Sequence, residues 1–378
     1  MSGPLKGVRV VELAGLGPVP FAGMVLADLG ADVIRIDRLD PGPVATLFSA
    51  DPTARGRRSI ALDLKQAPAV EVALRLVETA EILVEGFRPG VTERLGLGPR
   101  ACLERNPALV YGRMTGWGQT GPLAATAGHD INYLAIAGTL SAIGPVDQPL
   151  PPLNLVADYG GGAMLLLVGV LSALTHARAT GQGQVVDAAM VDGASLLASI
   201  VRGALASGMW TDRRQSNLLD GGAPFYRTYR TGDGGFVAVG ALEPQFFAAL
   251  LNGLELEADR LPAQYDRSGW PFLQRAIEER FAAYPRSHWE AIFAGTDACV
   301  TPVLSWAESA ANEHLLARST LIEVAGVRQP APAPRFSATP AGMPVPAGPA
   351  GLDTELILGS LGYSQADLSK LKAEKAVG

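Results

Sequence analysis

Acidic and basic side chains of types suited to proton transfer occur in two short segments. His129 and Asp130 lie together in AGHDINYLAIAG, residues 127–138, where a helix is predicted to begin. A histidine titrates near neutral pH, so it can accept or release a proton under physiological conditions. A histidine at a helix start more often caps or packs, however, and only its neighbours raise the prospect of catalysis.

Asp158 is the second candidate, in PPLNLVADYGGG at residues 151–162. It precedes three glycines and a long apolar helix predicted to end near His176. Free backbone N–H groups and the helix dipole favour an anion at such a position. An ordinary N-cap would occupy the same place, so both interpretations stay open.

Two further charged residues end predicted strands. Glu243 in VAVGALEPQF ends a predicted hairpin and precedes a proline that is predicted to start a helix, although a solvated surface glutamate would look the same. Arg38 directly follows the second predicted strand. The carboxyl ends of parallel strands line the ligand crevice of such sheets, so Arg38 could hold a nucleotide phosphate or be an ordinary surface arginine.

The glycines after the first strand invite a dinucleotide-binding interpretation. Gly15 and Gly17 match the start of the GxGxxG fingerprint, and Asp37 ends the second strand near the ribose-binding distance. Pro20 takes the place of the third glycine. The helix N-terminus then cannot approach a pyrophosphate in the usual way, which argues against a nicotinamide enzyme.

A parallel sheet must position these residues. Strand, Gly/Pro loop, helix and strand are predicted at 8–13, 14–22, 23–30 and 31–37, which is a βαβ unit. The alternation continues through strands SIALDL, EILVEG and LVYGRMTG. Beyond it we predict a hairpin from APFYRTYRT and FVAVGAL, an extended Pro- and Ala-rich segment at 328–351 and a last helix at 353–375.

We therefore expect an α/β protein with an open, parallel-sheet, Rossmann-like large domain and a smaller α+β domain. The expected parts are a large domain at 1–185, a helical linker at 186–221, a small domain at 222–310, and a return segment with the C-terminal helix, packed on the large domain, at 311–378.

Composition narrows the expected partners. The 31 Lys and Arg residues oppose 37 Asp and Glu residues, for a net charge of −6, and no run of five like charges suggests a nucleic-acid or membrane tail. The apolar stretch at 163–174 is short for a bilayer span, so we expect a soluble, cytoplasmic protein with no nucleic-acid or membrane partner. Cys102 and Cys299 are far apart, which argues against a disulfide framework or a zinc site.

Taken together, the segments resemble the family III CoA-transferase (CaiB/BaiF-type) family, and specifically its α-methylacyl-CoA racemase branch, over essentially the whole chain. The motifs that carry the resemblance are LADLGADVIRID (26–37), VEGFRPGVTERLGLGP (84–99), MTGWGQTGP (114–122), AGHDINY (127–133), PPLNLVADYGGGAM (151–164), QVVDAAMVDG (184–193) and LLDGGAPFYRTY (218–229).

The resemblance implies roles for individual residues. Asp158 matches an aspartate that is the acyl-accepting nucleophile in the transferases and a proton-transfer base in the racemases. His129 favours the racemases, because the transferases usually present a non-basic residue there. Glu243 resembles the carboxylate that pairs with this histidine. The residues that would hold CoA are Arg38, Leu62, Asp63, Leu64, Lys65, Gly86, Phe87, Arg88, Arg94, Gly128, Ile131, Asn132 and Tyr133. The last four lie in the loop that also contains His129 and Asp130.

The implied reaction is racemisation at C2 of 2-methylacyl-CoA thioesters in lipid and fatty acid metabolism. His129 and Asp158 would act on opposite faces of an enolate, with the backbone N–H of Asp130 as an oxyanion donor. No metal or redox cofactor is expected, since CoA is part of the substrate. The resemblance also implies an interlocked homodimer in which Glu243 acts across the interface.

Two other functions compete with this one. A family III CoA transferase would form a covalent anhydride at Asp158 and exchange CoA between two acids. A non-catalytic acyl-CoA-binding protein would keep Arg38 and Arg94 but would have no use for His129, Asp158 and Glu243.

Overall fold

A computed structural model describes residues 2–40 and 51–378. The strands are β1 Arg9–Leu13, β2 Asp32–Asp37, β3 Arg57–Ala61, β4 Ile82–Glu85, β5 Val110–Thr115, β6 Gln184–Ala189, β7 Tyr226–Arg230, β8 Phe236–Gly240, β9 Val300–Pro302, β10 Leu321–Val324 and β11 Val327–Pro330.

The α-helices are α1 Pro18–Asp28, α2 Ala67–Glu78, α3 Val91–Arg94, α4 Pro99–Arg105, α5 Asp130–Ala137, α6 Met164–Thr180, α7 Met190–Leu197, α8 Ser199–Ala206, α9 Pro244–Gly253, α10 Trp270–Ala282, α11 Arg286–Phe293, α12 Trp306–Ser309, α13 Glu313–Ala317, α14 Thr354–Ser360 and α15 Gln365–Ala373. A π-helix, Leu155–Ala163, leads directly into α6. Short 3₁₀ turns lie at Pro52–Ala54, Leu140–Ala142 and Ala258–Arg260.

The chain divides into two compact units. The first comprises residues 1–137, 153–197 and 319–378, and the second comprises 138–152 and 198–318. The segment 138–152 thus belongs with the second unit, although no sequence pattern separates it from the large domain. The first unit takes in the end of the chain through residues 319–378.

A parallel sheet forms the centre of the first unit, as the βαβ pattern predicts. Its six strands in the described part of the chain have the order β3-β2-β1-β4-β5-β6, with Val10 facing Val33 on one side and Ile82 on the other. This is the strand order of a doubly wound sheet. Strands are added toward one edge from β1 to β3 and toward the other edge from β4 to β6, so the order reverses between β1 and β4. The α/β, Rossmann-like expectation is therefore confirmed.

The first helix begins earlier than predicted. The segment at 14–22 was expected to be a loop, but α1 starts at Pro18. A proline suits the first turn of a helix, because the N–H that it lacks would have no partner inside the helix. The loop after β1 is consequently only a few residues long.

The apolar helix is longer than the sequence suggested. Helical structure runs without interruption from Leu155 to Thr180, which is 26 residues, so the argument that this segment is too short for a bilayer was wrong. In the part of the chain that the structure describes, it is the one helix that could cross a membrane by length and composition. Leu166, Leu167 and Val170 are buried, and the helix packs on β5 and β6, as a core helix does.

The C-terminal region departs from the prediction in two places. An antiparallel hairpin of β10 and β11 precedes the Pro- and Ala-rich segment. The single helix expected at 353–375 is two helices, because Gly362 adopts a φ of +84° and Ser364 caps α15 in a capping box with Asp367. α14 and α15 contribute Ile357, Leu358, Leu368 and Leu371 to the core on one face of the sheet.

The second unit has its own core and its own sheet. β7, β8 and β9 form an antiparallel sheet, and the predicted hairpin is present as β7 and β8. The helix predicted to start at the proline after Glu243 is α9, and α10 follows it. Its core is built from aromatic and aliphatic side chains, among them Phe225, Phe281 and Trp289.

Candidate active site

The candidate site lies in the first unit, at the point between β1 and β4 where the strand order of the sheet reverses. The loop after β1 contains Gly17, whose φ is +72°, and a β-carbon at this position would lie 3.6 Å from Oδ2 of Asp158. Phe21 in α1 stacks on Tyr159 with ring centroids 4.6 Å apart. Ligands of doubly wound sheets bind in this crevice, so the fold places Asp158 where a ligand would enter.

Asp158 sits inside the π-helix, a rare conformation that often marks functional positions. Burial raises the pKa of its carboxyl, a weak hydrogen bond from Nδ2 of Asn154 at 3.4 Å lowers it, the charge of Asp130 raises it, and His129 lowers it. A carboxyl with a raised pKa holds its proton more readily, which suits a group that must both donate and accept protons.

Asp130 joins the two candidate segments. Its Oδ2 accepts hydrogen bonds from the backbone N–H groups of Ala157 and Asp158, each at 2.8 Å. The residue is 5% exposed, and it is the first residue of α5. The backbone of Asp158 is therefore attached to the residue that follows His129.

His129 immediately precedes α5. Its carbonyl oxygen accepts hydrogen bonds from the N–H groups of Asn132 and Tyr133, and its own N–H donates to Oδ1 of Asn132 at 3.0 Å. These contacts fix the backbone, while the residue itself is exposed. Its charge lowers the pKa of Asp158, so the two side chains lie within electrostatic range of each other.

Tyr133 forms the wall beside these groups. Burial, and then the charge of Asp158, raise the pKa of its hydroxyl to about 12, while Arg88 opposes the rise. The hydroxyl donates to the carbonyl of Gly128, and the ring packs edge-on against Trp117. At Gly116 a β-carbon would lie 2.2 Å from this ring, so only glycine fits there.

The residues expected to hold CoA follow the carboxyl ends of several strands. Arg38 is exposed after β2, residues 62–65 follow β3, residues 86–88 follow β4, and Arg94 ends α3 with an exposed side chain. These segments therefore lie at the same edge of the sheet as Asp158. Ile131 and Asn132 are exposed in the first turn of α5.

Two of those residues, Leu62 and Asp63, make contacts with the C-terminal end of the described chain. The side chain of Leu62 is buried in the core, and its backbone bridges to Val377. The N–H of Asp63 donates to the carbonyl of Ala376. Lys65, by contrast, is exposed, so a charged contact in this segment would come from Lys65.

A buried ion-pair network that sequence reasoning missed supports two of the CoA segments. Arg113 in β5 donates to Glu85 at 2.9 Å and to Glu93 at 2.8 Å. The other oxygen of Glu85 accepts the N–H of Phe87 at 2.7 Å. Charged residues inside predicted buried strands were the available signal, since such residues require partners.

Glu243 belongs to the second unit. It is the N-cap residue of α9, without a side-chain capping hydrogen bond, and it is exposed. Burial and then the negative charge of Glu243 raise the pKa of Cys299. Both cysteines are free, Cys102 buried and Cys299 exposed.

Among the residues that the structure describes, no three His, Cys, Asp or Glu side chains cluster as a metal site would require. The local chemistry of the first unit is that of acids and bases. His129 and Asp158 supply the acid and base groups, and the N-terminus of α5 supplies the N–H groups, that the chemistry of a polarised carbonyl compound requires.

Comparison with known proteins identifies the family of the chain. Residues 5–354 match the pattern of CoA-transferase family III. Alpha-methylacyl-CoA racemase of Mus musculus is 46% identical over 99% of this chain and 97% of its own length, and the Homo sapiens racemase is 45% identical with the same coverage. A crystal structure of a CAIB/BAIF family protein from Brucella suis superimposes with a TM-score of 0.81 at 28% identity, covering 96% of this chain and all of that one. The chain belongs to CoA-transferase family III.

Proposed function

We propose that this enzyme racemises 2-methylacyl-CoA thioesters at C2, by removing the α-proton on one face and returning a proton on the other. The observation that carries the proposal is the position of Asp158 beside Gly17, in the crevice of the sheet and within range of the charge of His129. The similarity to two racemases over nearly the whole chain supports the same reaction.

His129 and Asp158 would exchange roles with the direction of the reaction. When one enantiomer is bound, a neutral His129 removes the α-proton and a protonated Asp158 supplies the new one, and the other enantiomer reverses these roles. The enolate oxygen between the two steps would be stabilised by the backbone N–H of Asp130 at the start of α5, since the N–H groups of Asn132 and Tyr133 donate to the carbonyl of His129. The reaction needs no cofactor besides the CoA of the substrate.

CoA would lie along the carboxyl edge of the sheet. Arg38, Lys65, Arg88 and Arg94 are exposed cations at this edge and would contact its phosphates. The Arg113 network would keep the Arg88 and Arg94 segments in place. Backbone groups at residues 62–64, 86–87 and 128–133 would complete the site.

We further propose that the enzyme is an interlocked homodimer, in which Glu243 of one chain pairs with His129 of the other. A carboxylate on one ring nitrogen would fix the tautomer and raise basicity at the other. Several apolar side chains on α6 and α7 are at least half exposed, among them Val168, Leu196 and Leu197. A partner chain would cover them. A cytoplasmic role in the metabolism of branched fatty acids is consistent with this chemistry.

Incubation of a single enantiomer of a 2-methylacyl-CoA in D₂O, without any acceptor acid, tests the reaction. We expect deuterium at C2 as the stereocentre inverts, because the returned proton comes from solvent-exchangeable groups. A CoA transferase would leave C2 unlabelled and would move CoA to an added carboxylate through an Asp158 adduct that hydroxylamine traps. Such transfer without labelling would contradict the racemase function.

A further inference from the structure

The side chain of Asp130 has a position that its expected role does not explain. The resemblance assigns a function only to its backbone N–H, at the start of α5. Its carboxylate instead turns to the π-helix, where Oδ2 binds the N–H groups of both Ala157 and Asp158 at 2.8 Å. One side chain thereby connects the segment that carries His129 to the segment that carries Asp158.

The carboxylate also acts through its charge. Its Oδ1 is buried and has no hydrogen-bond partner among the described residues. Among the described residues, the hydrogen-bond partners of the carboxylate are the backbone N–H groups of Ala157 and Asp158 and no side-chain cation. A negative charge in a buried setting acts strongly on a second carboxyl nearby, and it favours the protonated form of Asp158.

Few other ionisable groups face Asp158. His129 and Tyr133 are the remaining ones in the α5 segment, with Arg88 acting on Tyr133. The helices α1 and α7 also pack on the π-helix. The ionisable side chains of α1 and α7 are Asp28, which is paired with Arg55, and Asp192, which is exposed. The elements α6, β5 and β6 also contact the π-helix, and their ionisable side chains are His176, Arg178, Tyr111, Arg113 and Asp187. None of these is among the groups whose charge shifts the Asp158 pKa. Asp130 is therefore the principal like charge that acts on Asp158.

We propose that Asp130 is a positioning residue that fixes Asp158 relative to His129 and keeps Asp158 in a proton-donating state. The catalytic part of this inference rests on the proposed racemase function. In one reaction direction Asp158 must begin protonated, and the negative charge of Asp130 maintains that state at a higher pH than an isolated aspartate would allow. The two hydrogen bonds hold the backbone from which the Asp158 side chain extends.

Two substitutions separate the roles of shape and charge. Asp130→Asn keeps an oxygen that can accept both N–H groups but removes the charge, whereas Asp130→Ala removes both. Asp192→Asn is the control, because it removes an exposed carboxylate on a helix that packs on the same π-helix. Titration of ¹³C-labelled aspartate carboxyls by NMR, with the Asp158 signal identified from Asp158→Asn, measures the Asp158 pKa without reference to activity.

We expect Asp130→Asn to lower the Asp158 pKa and to move the acid limb of the kcat/KM profile to lower pH, while Asp192→Asn leaves both unchanged. Asp130→Ala should reduce kcat about 100-fold with a smaller change in KM, as expected when a reacting group is displaced by about 1 Å. An unchanged Asp158 titration in Asp130→Asn would overturn the charge role, and wild-type kcat in Asp130→Ala would overturn positioning. If wild-type protein exchanged no C2 proton, the proposed function would fail, while the NMR titration would still decide the effect of Asp130 on Asp158.

Discussion

Gly17 and Asp158 approach each other so closely that a β-carbon on Gly17 would lie 3.6 Å from the carboxylate oxygen Oδ2. Gly17 also has a φ of +72° with a ψ of −119°, a combination essentially restricted to glycine. The bare backbone at this position therefore leaves one side of the Asp158 carboxylate accessible.

Gly17→Ala should lower both stability and turnover. We expect a loss of about 1–3 kcal/mol in the free energy of unfolding from the strained backbone, and a fall in kcat because the methyl group would cover one side of the Asp158 carboxylate, in van der Waals contact with Oδ2. Gly181→Ala is the control, since Gly181 has a φ of +73° at the end of α6 and a β-carbon there would meet nothing within 4 Å. Urea unfolding and steady-state kinetics on both variants check this. Equal kcat values would show that Gly17 matters only for folding.

His129→Ala should abolish most C2 exchange and leave CoA affinity nearly unchanged. Loss of a general acid or base typically costs about 10²–10⁴ in rate, whereas the imidazole is not expected to contact the nucleotide. His176→Ala, at an exposed position near the end of α6, is the matched control. Deuterium incorporation and equilibrium CoA binding are the measurements. Turnover that survives in His129→Ala would remove this residue from the mechanism.

Arg38→Ala and Arg94→Ala should weaken the binding of substrate and of free CoA by about tenfold or more each, since a charged hydrogen bond contributes about 1.5–3 kcal/mol. The kcat should change little, because these contacts would be equal in the ground and transition states. Arg100→Ala removes an exposed arginine paired with Glu104 and should have no effect. Calorimetric CoA binding that stays unchanged in all three variants would place the nucleotide elsewhere.

The raised pKa of Asp158 predicts a stability difference that depends on pH. Because its folded-state pKa lies above the ordinary value of 3.8, ionisation of Asp158 costs folding free energy at neutral pH. Asp158→Asn should therefore unfold at higher urea concentration than wild type at pH 7, and the difference should vanish below about pH 3.8, where the group is protonated in both states.

Asp266→Asn should change the stability at neutral pH in the opposite direction from Asp158→Asn. Hydrogen bonds from Ser268 lower the pKa of Asp266, so its ionised form stabilises the fold and the substitution should destabilise the protein at neutral pH. Urea midpoints measured from pH 3 to pH 8 compare the two variants. A less stable Asp158→Asn protein at pH 7 would contradict a cost for burying this carboxylate.

Mixed dimers test the proposed pairing of Glu243 with His129. Inactive His129→Ala and Glu243→Ala chains, refolded together, should regain activity, because one of the two sites in each mixed dimer would combine both intact residues. The C2 exchange rate, with the mixed species verified by mass spectrometry, is the measurement. Mixed dimers without activity would place Glu243 in the site of its own chain or outside the mechanism.

Sequence patterns predicted the parts of the fold that depend on periodicity. β1, β2 and the β7–β8 hairpin follow directly from alternating and buried apolar runs. The division of the last helix was missed, although Ser364 and Asp367 have the spacing of a capping box and thus carried a local signal. The grouping of residues 138–152 with the second unit is a tertiary fact that no local pattern encodes.

The candidate site shows the same limit. The residue types of His129 and Asp158 indicated proton transfer, and the helix at Asp130 was expected. The hydrogen bonds from residues 157 and 158 to the Asp130 side chain join positions 27 and 28 residues apart, and a sequence without such contacts would look the same. The glycines at 160–162 carry no local signal of the π-helix that the chain forms there.

That π-helix sets the direction in which Asp158 faces. A π-turn contains one residue more than an α-turn, so the segment Leu155–Ala163 holds a surplus residue in an otherwise regular helix that continues into α6. Deleting one residue there would allow an ordinary α-helix and would rotate everything before the deletion by about 100° about the helix axis. The carboxylate would then swing away from Gly17. The number of residues in this segment therefore determines the rotation of Asp158 about the helix axis. A substitution leaves that number unchanged, whereas deletion of a single codon would alter it.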